Sequence, residues 1–123
     1  MPQMLLKFTD FLTRAWFSVM FLAHGCTTIG HEPAPSDWPA LDVRVHSLPH
    51  KEMRDRCLRF APPGYDVEAC AEINFAKGSC DIVLSADFLR AGILEHEREH
   101  CAGKDHAGDT TLRDAWLRFR AAR

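Results

Sequence analysis

His96 and His100 stand four residues apart, and His106 follows six residues later with Gly103 between them. That spacing dictates local structure. Two histidines four apart meet only on a helix, where they lie one turn apart on one face. For His106 to reach the same face the helix must stop and the chain must fold back. Gly103 is placed for that, because glycine enters the left-handed conformation that ends helices. The segment from His96 to His106 therefore predicts a helix, a glycine-ended turn and a returning arm.

The chemistry of the segment follows from its residue types. Three neutral imidazoles converging with a fourth position open are the donor set of a catalytic zinc site, not a closed structural one. Glu97 lies beside the first histidine, well placed to take a proton from a water at the metal and poorly placed as a ligand. The expectation is one Zn2+ held by His96, His100 and His106, with Glu97 as the catalytic residue. Arg98 falls on the opposite face and is expected in solvent. Asp105 and Asp109 are candidates to accept the second ring N–H of a ligand histidine; turn and cap chemistry around Gly103 and Gly108 accounts for them equally well. For an oxyanion donor the candidates are Tyr65, His46 and His50, or backbone N–H groups of an edge strand.

The start of the chain reads as an export signal. Lys7 and Arg14 precede Ala15–Ala23, nine apolar residues, too few to span a bilayer but suited to a signal core. Gly25-Cys26 then resembles a bacterial lipoprotein processing site, with Ala23 in place of the usual leucine. Residues 1–25 are read as a lipoprotein-type signal peptide; a plain cleaved signal, an uncleaved anchor or an unrelated segment are the alternatives. Residues 26–39, with Pro33, Pro35 and Pro39, are read as a tether and 40–123 as one folded domain. Setting Cys26 aside leaves Cys57, Cys70, Cys80 and Cys101, an even number in fewer than 100 residues. That suits two disulfides in an oxidising cell envelope. Reduced buried cysteines would be the cytosolic alternative.

Periodicity gives the domain's outline. Leu41, Val43 and Val45 alternate with polar residues as a half-buried strand, and Met53, Cys57 and Phe60 fall at helical spacing after Pro49. Ala61-Pro62-Pro63-Gly64 is a break. Ala71–Phe75 and Ile82–Leu84 form a hairpin about Ala76-Lys77-Gly78-Ser79. In that register Phe75 faces Cys80 and Cys70 faces Ser85, so Cys70 and Cys80 cannot bridge. Two connectivities remain, Cys57–Cys70 with Cys80–Cys101 or Cys57–Cys80 with Cys70–Cys101. The histidine helix is expected to begin at Ser85 or Asp87, with Leu89, Ile93, His96 and His100 in one stripe. A last helix with Thr111 and Asp114 at its start buries Leu112, Ala115, Trp116 and Phe119. The class is α+β: a small three-stranded sheet packed on the histidine helix, flanked by a helix on its N-terminal side and a C-terminal helix.

The pattern H-E-x-x-H-x-x-G-x-x-H from His96 to His106 resembles that of the zincin metallopeptidases, most closely the metzincins. The resemblance implies zinc ligation by His96, His100 and His106, and Glu97 as base and proton shuttle for the metal-bound water. It also implies an edge strand, placed near Ile82–Leu84, that holds an extended substrate by strand addition. Only 17 residues follow His106 and none is methionine, so the methionine turn of metzincins is missing. The resemblance is to a minimal zincin, a small exported bacterial lipoprotein. The function expected is a zinc-dependent peptidase or amide hydrolase acting on peptides or cell-envelope amides; a non-catalytic zinc-binding envelope lipoprotein is the alternative. With a formal net charge of -2 and arginines interleaved with core residues from Arg113 to Arg123, no nucleic-acid partner is expected. Membrane association would come through lipid on Cys26. Oligomeric state is left open.

Overall fold

The computed structural model describes residues 31–123. The segment read as an export signal, and Cys26, lie outside the described residues. The elements run β1 (His31–Glu32), β2 (Asp42–Leu48), α1 (His50–Cys57) with a 3-10 turn Leu58–Phe60, β3 (Ala69–Asn74), β4 (Ser79–Ser85), α2 (Ile93–Cys101), β5 (Asp105–His106) and α3 (Thr111–Ala121). This is the α+β class read from the sequence.

The main sheet has the order β2-β4-β3. β3 and β4 pair antiparallel as a hairpin, while β2 runs parallel to β4. Neighbouring parallel strands need a crossover rather than a tight turn, and α1 is part of it. β4 is central and buried along its length except at Asp81. Its alternation divides two cores. Cys80, Ile82 and Leu84 face α2, where they pack with Ile93, Leu94 and Cys101 and with Ala69, Ala71 and Ile73 of β3. Val83 faces the other way with Cys70 and packs under Met53 and Cys57 of α1. The sheet is thus a middle layer between two helices.

This two-sidedness selects the disulfides. Cys70 and Cys80 lie on opposite faces, so each can meet only the helix on its own side. Cys57 bridges Cys70 on the α1 face, and Cys80 bridges Cys101 on the α2 face. The alternative connectivity would require crossing the sheet. The bridges close separations of 13 and 21 residues. Each removes about 3 kcal/mol of loop entropy from the unfolded chain, a large share of the stability of so small a domain.

Four local expectations are corrected. The hairpin loop is Phe75–Gly78, one residue earlier than read, so Asn74 faces Ser79 and Ile73 faces Cys80. Gly78 at φ 64° takes the left-handed position that closes the turn. The histidine helix does not begin at Ser85 or Asp87. Ser85 Oγ instead accepts the N–H groups of Asp87 and Phe88 in a turn, and Asp87 accepts the His50 N–H. The helix starts after Gly92 (φ 84°), which leaves Leu89 outside it and exposed. Val43 and Val45 are not half-buried but 43% and 47% exposed, because α2 covers β3 and β4 and leaves edge strand β2 bare. Phe60, expected to pack with Met53 and Cys57, lies in the 3-10 turn and is exposed.

The folded unit takes in the end of the stretch read as tether. His31–Glu32 pair antiparallel with Asp105–His106. Trp38 inserts into an aromatic cluster with Phe75 and Trp116, at ring separations of 5.3 and 6.1 Å. Asp37 binds α3 through Trp116 Nε1 (3.3 Å) and Arg120.

Candidate metal centre

α2 presents the histidines because its two ends are held differently. At the C-terminal end Cys101 is bonded to Cys80, one residue beyond His100. The helix stops at Ala102, and Gly103 follows at φ 87°. Trp38 lies against Gly103 so closely that an added Cβ would fall 2.5 Å from its ring. The indole Nε1 donates to the Cys101 carbonyl at 3.0 Å, satisfying one of the helix's terminal acceptors. Gly103 is therefore required twice, by its backbone angle and by the indole.

Past Gly103 the chain returns as β5, and the three imidazoles converge. His96 Nε2 lies 3.2 Å from His100 Nε2 and 3.0 Å from His106 Nε2. One donor atom from each residue falls within 4.8 Å of the others. A tetrahedral zinc with metal–nitrogen distances of about 2.0–2.1 Å spaces its nitrogens about 3.3 Å apart. The donor set fits that ion. Its tautomers fit as well: His100 Nδ1 lies 2.7 Å from the Lys104 carbonyl, which can only accept, so Nδ1 carries the proton and Nε2 keeps its lone pair.

Electrostatics favour the neutral, metal-ready state. Burial first, then His100, His106, His31 and Arg90, push His96 down to about 4. Burial likewise lowers His100, against the opposing bond to Lys104. Glu97 is 5% exposed and its carboxyl is pushed up to about 7 by burial alone. It faces the same cleft as His96 and His100. Arg98 points away and pairs with Glu95 at 2.7 Å.

The four residues assigned to the site are thus together, whereas the supporting candidates divide. Asp105 and Asp109 belong to α3, not to the histidines. Asp105 Oδ2 accepts the Leu112 N–H at 3.0 Å and Asp109 Oδ1 the Thr111 N–H at 3.0 Å. Two carboxylates at a helix N-terminus satisfy its free donors and its dipole. Burial raises Asp105; the Thr111 hydrogen bonds lower Asp109. Thr111 and Asp114 do not form the expected cap pair, and Asp114 is bonded by Thr110. His46 is bound to Asp81 at 2.7 Å and His50 to Ser85 at 3.2 Å, both away from the cleft. Tyr65 does line it, with its ring exposed.

The cleft has a volume of about 630 Å3 and runs between the α1–β3 connection and the histidines. Ala69, Cys70 and Ala71 of β3 line its floor. β3 is a sheet edge, whereas Ile82–Leu84, the segment expected to receive substrate, lies in the paired central strand. An edge strand beside the histidines exists, but it is β3.

Sequence reasoning missed His31, Glu32 and Trp38. All three sit in a proline-punctuated stretch without periodicity, and the site residues they meet are more than 60 residues away. The one signal was a histidine–acid pair in a segment otherwise read as a spacer. No protein-family model, curated protein or solved structure matches the chain.

Proposed function

We propose that this chain is an exported zinc-dependent hydrolase of peptide or cell-envelope amide bonds, attached to the membrane through Cys26. The observation that carries the reading is the pairing of a three-nitrogen donor set, spaced for one tetrahedral ion, with a carboxyl group that shares its cleft and has no cationic partner among the described residues. A site that only stored metal would have no use for that carboxyl. Burying it costs stability, and no ion pair offsets the cost.

His96, His100 and His106 would hold the zinc, and His100 is oriented for it by the Lys104 carbonyl. When bound, the metal supplies Lewis-acid polarisation of the amide carbonyl and acidifies water. Glu97 receives the proton of the attacking water and delivers it to the leaving nitrogen. A carboxyl held near neutral pH suits both transfers. β3 offers its free backbone edge to an extended substrate, and Phe60 and Tyr65 line the cleft beside it. Two disulfides agree with an oxidising compartment.

The test has two stages. Purified protein is expected to hold about one zinc per chain, lost in His106→Ala. Glu97→Gln is then expected to retain zinc and lose hydrolysis across a panel of peptide and envelope-amide substrates. Zinc binding with no difference between wild type and Glu97→Gln on any substrate would point to a metal-binding lipoprotein instead. Folded, disulfide-intact protein that takes up no added zinc would end the hydrolase reading.

A further inference from the structure

We infer that the His31–Glu32 strand is a working part of the three-histidine centre, with both residues positioning the ligands; the inference rests on the metal reading above. His106 is the ligand with the least support of its own. It sits on a two-residue strand, and that strand's only ladder partner among the described residues is β1, in the register His31 opposite His106 and Glu32 opposite Asp105. Glu32 adds a second tie. Its Oε1 accepts the Gly108 N–H at 2.8 Å, two residues beyond His106. The turn that follows is closed by the Asp109 N–H on the His106 carbonyl at 2.9 Å. β1 therefore grips the ligand arm before and after the imidazole.

His31 contributes more than backbone. Its ring lies 5.7 Å from that of His96, tilted by 48°. Its Nε2 is buried with no hydrogen-bond partner among the described residues. A buried imidazole nitrogen without a partner costs stability, and such groups cluster where a ligand completes them. Here the unsatisfied atom belongs to a fourth imidazole packed beside three that converge on one point. His31 lies outside the 4.8 Å donor cluster, so its assigned role is to brace His96 and to supply a hydrogen-bonding group next to the ion, not to ligate it.

The experiment uses the full-length protein and three variants, His31→Ala, His31→Gln and Glu32→Ala. Zinc affinity is measured by chelator competition, and Co2+ absorption spectra report the ligand environment. Melting of the metal-free proteins controls for folding. Loss of an outer partner of a ligand typically weakens metal binding about 10–100-fold. That weakening is expected in His31→Ala and Glu32→Ala, with metal-free melting close to wild type. His31→Ala is also expected to shift the Co2+ bands, and His31→Gln to recover part of the affinity. Wild-type zinc affinity and unchanged Co2+ spectra in His31→Ala and Glu32→Ala would overturn the inference while leaving the metal site intact. Failure of the wild-type protein itself to bind Zn2+ or Co2+ would overturn both. Should His31→Ala unfold without metal, His31→Gln and Glu32→Ala decide by the same two readouts.

Discussion

Gly103→Ala isolates the turn on which the candidate site depends. Two costs can be worked out. At φ 87° an alanine adopts the left-handed conformation, at about 1–2 kcal/mol. The new Cβ also meets Trp38 Cδ2 at 2.5 Å, Cγ at 2.7 Å and Cε2 at 2.8 Å. The ring cannot simply withdraw, because its Nε1 is bonded to the Cys101 carbonyl and it packs against Phe75 and Trp116. Overpacking of this kind costs about 1–3 kcal/mol. The sum, about 2–5 kcal/mol, would lower the melting temperature of a domain this size by roughly 10–30 °C. A double-mutant cycle separates the two parts. In a Trp38→Ala background the clash is gone, and Gly103→Ala should cost only the conformational part. Thermal and urea unfolding of the four metal-free proteins would then give a coupling of about 1–3 kcal/mol. A Gly103→Ala cost below about 0.5 kcal/mol, or an equal cost in both backgrounds, would refute the argument.

The other predictions concern charge, cross-links and caps. Glu97 has its folded pKa raised to about 7 from an ordinary 4.5, so between those values its carboxyl keeps a proton in the folded protein that it has lost in the unfolded chain. Glu97 should therefore contribute a fall in the stability of the metal-free protein as pH rises from about 4.5 to 7, on the order of 3 kcal/mol. The lowered His96 and His100 contribute an opposing rise over the histidine range, so the fall is read as the difference between wild type and Glu97→Gln. Glu97→Gln should remove that fall and be the more stable protein at pH 8; parallel pH–stability curves would contradict this. Replacing Cys80 and Cys101 by serine should cost about 3 kcal/mol and also weaken zinc binding, since the bridge anchors the helix beside His100. Replacing Cys57 and Cys70 should cost a similar amount but spare zinc affinity, so equal metal loss in both pairs would count against a local role for Cys80–Cys101. Asp105→Ala removes the acceptor for Leu112 at the start of α3. It should destabilise the domain by about 1 kcal/mol in urea unfolding, and an unchanged midpoint would rule out the capping role.

The parts of this molecule visible in its sequence are those whose partners are close along the chain. His96, Glu97, His100, Gly103 and His106 lie within eleven residues, so helix geometry alone places three of the five, and Gly103 marks where the helix ends. The hairpin was visible because turn residues separate two alternating runs. Its register was misplaced by one loop position, which turned on Gly78 rather than Ser79 taking the last place in the turn. The helix start was misjudged because Ser85 and Asp87, both good caps, are used by a turn and by His50. Burial of Val43 and Val45 was overestimated because alternation shows that a strand has two kinds of face but not whether a helix covers one. His31, Glu32 and Trp38 were out of reach for a further reason: prolines suggest a spacer, and nothing local shows that an irregular stretch is pinned from a distance. The disulfides were half-determined. Local spacing excluded Cys70–Cys80, but the choice between the other pairings needed to know which helix lies on which face.

The antiparallel pairing of β1 with β5 also has a mechanical consequence. Tension applied at His31 acts first on that two-residue ladder. The next resistance is Asp37 and Trp38 on α3, and the first covalent stop is Cys57. The cross-linked layers lie behind these points and carry load last. Pulling at His31 would therefore loosen His106 while the sheet and both disulfides stayed whole, making the third histidine the first part of the candidate site to yield.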